Sequence, residues 1–380
     1  MPSNQRTQSQ PGRNLRHRGE RTPSAGAEPL EWDNAHVARP DSARGPLLAV
    51  GPHAGAHRVA LRAAISVLVP LLVLDAVDHL SWTLYAVFGA FTSLYGRERV
   101  DAARLRLQAT AGGWQVASVT LGALVACSVH RGWLAVPVAA AVALLAAYAS
   151  AVQHWHPPGS LFQVFGIGAV AAVPGQLSGV ASAVLVTAAS AAFAMVVGNL
   201  GAVVRRVRRT VPIDSVAAIG GSVDGAWSYG LQAATGVLIA GAIANAFDIG
   251  RPYWAMVGAV VPLAARALPA QLVRATHRLV GTGAGLLLAW GLLSVHLSTL
   301  AALLVATLLQ AGAELYIGRN YALALLFVTP LALLMGQIVR PVPVGTLIAD
   351  RGVETVIGVL VGVAVGLLWR RLATRMAVTG

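Results

Sequence analysis

Lysine is absent from the 380 residues, so all 28 basic side chains are arginine, and the one cysteine is Cys127. A lone cysteine excludes an intrachain disulfide and a cysteine-built metal site. Charged residues make up only 11% of the chain and aromatic residues 6%, while 56% is hydrophobic. From Leu107 to Val204, a stretch of 98 residues, the single charge is Arg131. Polar surface cannot cover such a stretch in water, which excludes an ordinary soluble domain. HExxH, GxSxG and the phosphate-binding P-loop are also missing, and no Cys/His set has metal-ligand spacing. The expectation is a protein that is not an enzyme, with no catalytic residue, no metal and no cofactor.

What is present is a basic, apolar chain with a formal net charge of +13. In a soluble protein that charge would suggest nucleic acid. Here seven arginines precede residue 58 and the others gather at the ends of apolar runs. That is how arginine is distributed by the positive-inside rule, so the expected partner is the bilayer and not nucleic acid. A bilayer core of about 30 Å needs about 20 apolar residues per helix. On that basis the chain reads as an all-α polytopic membrane protein of about twelve transmembrane helices. Three of them, at 82–96, 160–175 and 253–268, are short. With the N-terminus inside, seventeen arginines fall on inner segments and four on outer ones, which predicts two cytoplasmic termini in a cell (inner) membrane protein.

The predicted organisation is a disordered cytoplasmic tail 1–56, a first six-helix repeat 57–204 and a basic linker 205–225. A second six-helix repeat 226–370 and a cytoplasmic tail 371–380 complete it. The two halves share an ungapped internal match at an offset of 172: Trp82, Arg106, Thr110 and Gly113 fall on Trp254, Arg278, Thr282 and Gly285. Six spans per half is an even number, so the repeats are parallel about an axis normal to the membrane, with a solute site between them.

Arg, Thr and Gly at spacings of four and seven residues share one helical face. Arg106 and Arg278 are then candidates to line an inner vestibule and attract an anion, with Thr110 and Thr282 hydrogen-bonding it. The competing reading is purely topological: arginine belongs inside. Gly113 and Gly285 are packing positions on this reading. In ADRGVETVIGVLVGVAVG, Arg351 pairs with Glu354 one turn on. Glu354 is the proton-coupling candidate, with ion pairing at the outer end of the span as the alternative. Gly358, Gly362 and Gly366 form a tandem GxxxG packing stripe. In GRNYALALLFVTP, Pro330 interrupts an apolar run, a feature that often marks a transport site, and Asn320 and Tyr321 join the candidate solute-binding set. Trp82, Tyr253 and Trp254 are placed as interface anchors at outer helix ends, with stacking on an aromatic solute as the lesser alternative.

RPYWAMVGAVVPLA, then Arg278 with Gly281–Thr282 and Gly285, then RNYALALLFVTP, then Arg351 with Glu354–Thr355 and Gly358, together resemble the fusaric acid resistance protein-like family. This is the aromatic acid exporter group of membrane transporters, distantly similar to plant malate-type anion channels. The resemblance covers 226–370 and is weaker over 58–204. It implies a secondary transporter exporting aromatic carboxylic acids or related organic anions. A passive anion channel on the same scaffold is the alternative. A non-transporting membrane scaffold that binds partner helices through its glycine stripes is another. The small organic anion and the lipid bilayer are the expected partners, and homo-oligomerisation stays open.

Overall fold

The computed structural model describes residues 45–207 and 223–379, apart from 46, 54, 98 and 100. Most of the expected tail 1–56 and of the linker 205–225 lies outside the described residues. Twelve α-helices form among those that are described, with no strand. The first six are α1 (Ala56–Ala76), α2 (Thr83–Ala90), α3 (Asp101–Ala126), α4 (Arg131–Gln153), α5 (Leu161–Ala171) and α6 (Ser178–Val207). They are followed by α7 (Val223–Ala246), α8 (Tyr253–Leu263), α9 (Leu268–Leu293), α10 (Thr299–Tyr316), α11 (Tyr321–Val339) and α12 (Val344–Thr379). The segment 371–379 continues α12 as helix.

Six helices, α1, α4, α6, α10, α11 and α12, are long and apolar enough to cross a membrane, which makes this an all-α, multi-pass membrane protein. Of the about twelve transmembrane helices expected, three of them short, these six meet that length and composition among the described residues. Helices α3, α7 and α9 have the length, at 26, 24 and 26 residues, but α3 and α9 carry polar side chains such as Gln108, Gln115 and Arg278. The remaining three are short, as their sequences already indicate. An 11-residue helix such as α5 or α8 rises about 16 Å, roughly half the hydrocarbon thickness. These short helices are internal: every residue of α8 is buried.

Close backbone approach explains how they are held. A Cβ on Gly358 would strike the Ala255 carbonyl of α8, and one on Gly362 the Ala259 carbonyl, so the glycine stripe of α12 seats α8. Gly366, the third of the stripe, faces Gln271 of α9 instead. Gly281 and Gly285 do the same for α9 against α11, where an added Cβ would come within 2.5 Å of the Ala322 carbonyl and 2.7 Å of the Leu325 carbonyl. Helix α11 runs unbroken through Pro330, contrary to the expected interruption, and Thr329 and Pro330 are buried within it. Across the chain, α1 packs on α10 and α4 on α7, while α5 meets α8 in the middle.

Candidate functional site

Between these elements lies a cavity of about 1810 Å³. Its wall reaches from Arg97, Arg274 and Arg319 at one end to Arg251 and Arg340 at the other. The middle is aromatic because the short helices converge there. Phe88 of α2 and Phe165 of α5 lie 5.0 Å apart between ring centroids, and Phe165 is 4.7 Å from Trp254 of α8. Tyr253 is 4.8 Å from Trp254. At 7% and 2% exposure, Tyr253 and Trp254 are core residues of the cavity wall, not interface anchors. Trp82 is half-buried and stacks on His79 at 4.0 Å.

Two buried arginines face this aromatic wall. Arg351, 1% exposed, sets its guanidinium carbon 3.7 Å from the centroid of the Trp254 ring, and none of its three nitrogens has a hydrogen-bond acceptor. Arg278, 3% exposed, donates Nη1 to the Tyr321 hydroxyl at 3.0 Å and leaves Nε and Nη2 without acceptors. Both line the cavity, and their like charges act on each other. Glu354 is fully buried beside them: Oε1 accepts from the Arg251 backbone N–H at 2.9 Å, and Oε2 has no donor. The hydroxyl oxygens of Thr282, one turn after Arg278, and of Thr329 on α11 are also buried and unpartnered, but neither residue lines the cavity. Buried donors are nearly always satisfied in native proteins, so this set of free N–H groups is unusual. Two guanidinium groups against one carboxylate leave a net positive site, and an anion with two oxygens is the natural acceptor for such forks.

The other candidates are placed differently. Arg106 is exposed on α3 and lies outside the cavity wall, so it does not share a vestibule with Arg278. Thr110 donates its hydroxyl to the Arg106 carbonyl at 3.0 Å and sits with Gly113 on an outward face. Nothing lies within 4 Å of where a Gly113 Cβ would be. The reason is register. Six buried positions of α3 (Leu107, Gln108, Ala111, Gly112, Gln115, Val119) fall on six buried positions of α9 (His277, Arg278, Gly281, Thr282, Gly285, Ala289) at an offset of 170, not 172. Two residues turn a helix by about 200°, so the 172 match sends Arg106 to the opposite face and puts Gln108 where Arg278 sits.

Asn320 lines the cavity, but its amide is committed to structure. Its Oδ1 caps α11 by accepting from the Leu323 N–H at 3.1 Å, and Nδ2 donates to the carbonyls of Leu47 and Ala49 at 3.3 and 3.1 Å. Residues 47–51 thus lie against the α10–α11 corner, where Arg319 Nε also donates to the Gly51 carbonyl at 3.0 Å. Tyr321, one residue on, lines the cavity and orients Arg278.

Sequence reasoning pairs Arg351 with Glu354 but does not place Arg351 at the solute site, and it misses the phenylalanines of α2 and α5. The usable signal was the shortness of the helices that carry those rings, since a half-length helix cannot be lipid-facing along its whole path. Comparison of the chain with curated proteins and with solved structures returns no match. Residues 239–365, however, match the family described as fusaric acid resistance protein-like. The stretch that supplies Trp254, Arg278, Tyr321, Arg351 and Glu354 is therefore similar to the fusaric acid resistance protein-like family over about a third of the chain.

Proposed function

We propose that the chain is a secondary transporter that exports aromatic carboxylates or related organic anions through the cavity between its two halves. The observation that carries this reading is the pair of buried arginines, Arg278 and Arg351, whose free donors face an aromatic wall. A carboxylate would supply the missing acceptors, and a ring would stack against Phe165, Tyr253 and Trp254. Glu354, with one oxygen unpartnered beside Arg351, is the proton-coupling group on this reading.

A two-repeat architecture is part of the proposal. Helices α1 and α7, α3 and α9, and α6 and α12 correspond in order, and the packing exchanges consistently: α1 on α10 mirrors α7 on α4. The arginine asymmetry supports cytoplasmic termini in the inner membrane, with the Arg97 and Arg319 end of the cavity facing the cytoplasm. A passive channel is the second reading, favoured by one observation: the cavity wall includes residues from both arginine-bearing ends.

Efflux of radiolabelled benzoate from proteoliposomes tests the proposal. Release faster than from protein-free vesicles, abolished by Arg278→Ala in protein that still inserts, is the expected result. Release indifferent to the protein would sink it. A pH gradient separates the two readings, because a coupled exporter moves protons in fixed ratio and a channel does not.

A further inference from the structure

A second charged group lies in the cavity wall, away from Arg278 and Arg351. Glu314, near the end of α10, is 5% exposed, and its Oε2 lies 3.3 Å from Nη2 of Arg97, which follows the 3₁₀ turn Phe91–Leu94 of the first half. Gln310, one turn earlier, donates to the other oxygen at 3.4 Å. Arg62 of α1 also acts on this carboxylate. Arg97, Gln310 and Glu314 all line the cavity, and Nε of Arg97 is buried without an acceptor.

A pair whose task is only to bolt α10 to the first half has no need to face a solute passage. The apolar packing of α1 on α10 already makes that join. Here one carboxylate pairs with Arg97 and lies in the field of a second guanidinium, Arg62, so the locality keeps a surplus positive charge whenever the carboxylate moves aside. Glu314 is moreover an anion of the same chemical type as the proposed solute, and it takes up the donor that Arg97 would otherwise offer to an anion in the cavity.

We propose that Glu314 is a tethered competitor of the transported anion, occupying Arg97 until an arriving carboxylate takes its place. The displaced Glu314 stays in the field of Arg62, so the exchange trades one anion for another at Arg97 and leaves no buried charge unpaired. Arg97 is then a second anion subsite at the end of the cavity opposite Arg251, and Glu314 keeps it closed to weakly held anions. This proposal rests on the anion-transport reading above.

The test has two arms, both on the full chain in proteoliposomes. In the first, benzoate binding is compared between wild type and Glu314→Gln, which keeps the shape and removes the charge. Loss of the competitor is expected to tighten apparent affinity about tenfold, the scale of one charge-assisted hydrogen bond. In the second, iodide efflux is expected to rise in Glu314→Gln, because an inorganic anion no longer has to displace a carboxylate. Unchanged or weaker benzoate binding together with unchanged iodide efflux, in protein that inserts normally, would overturn the proposal. If wild type binds no benzoate, the aromatic-anion reading has failed, and the iodide arm still decides the role of Glu314. Should Glu314→Gln not insert, Glu314→Asp replaces it: the shorter side chain withdraws the carboxylate from Arg97, and the same tightening and the same rise are expected, their absence overturning the proposal.

Discussion

The guanidinium carbon of Arg351 lies 3.7 Å from the ring centroid of Trp254, with both side chains almost wholly buried. Glu354 acts on this arginine through its charge, yet none of the guanidinium nitrogens has an acceptor. The indole face offsets part of the missing solvation, about 2 kcal/mol in a desolvated setting. That leaves the hydrogen-bonding edge of the arginine free for an anion.

Replacing Trp254 by Leu should therefore weaken the site through Arg351 itself. Benzoate affinity is expected to fall by about tenfold to thirtyfold, matching loss of the cation–π contact. Isothermal titration of purified protein reads this directly. Trp254→Phe, which keeps a ring, should retain most of the affinity.

The two arginines matched at an offset of 172 should behave oppositely. Arg278→Ala is expected to lower benzoate efflux at least tenfold, since it removes a buried donor fork from the cavity. Arg106→Ala, on the outward face of α3, should leave efflux within about twofold of wild type. Equal losses in the two variants, measured at equal insertion, would contradict the register described for α3 and α9.

Gly362→Val should damage assembly before it touches solute binding. The new side chain would collide with the Ala259 backbone, which cannot move without displacing the buried helix α8. Overpacking of this kind costs about 1–3 kcal/mol or more. A lower melting temperature in detergent is the expected readout. The same substitution at Gly113, where nothing lies within 4 Å, should change it little.

Asn320→Ala removes a helix cap and two anchors of residues 47–49 together. Loss of an N-cap costs about 1 kcal/mol. Limited proteolysis should cut near residues 47–53 faster than in wild type. Benzoate affinity should stay nearly constant, because the amide is already spent on backbone groups.

Much of this protein was legible in its residues alone. Scarcity of charge and the length of the apolar runs decide membrane insertion, because an unpaired charge in hydrocarbon is expensive wherever it sits. The brevity of the segments around Phe88, Phe165 and Trp254 was equally plain, as were the glycines of α12, since length and side-chain size are local properties. The likeness to the fusaric acid resistance protein-like family over residues 239–365 was legible in the spacing around Arg278, Tyr321 and Arg351.

Which way each side chain points was decided only by tertiary structure. A shift of two positions along α3 exchanges the exposed Arg106 for the buried Gln108, and no property of the single helix marks which of the two faces is covered. The inward turn of Tyr253 and Trp254, the commitment of Asn320 to residues 47–49 and the Arg97–Glu314 pair each depend on an element distant in sequence. Periodicity states that a helix has a face; only its neighbours determine what that face meets.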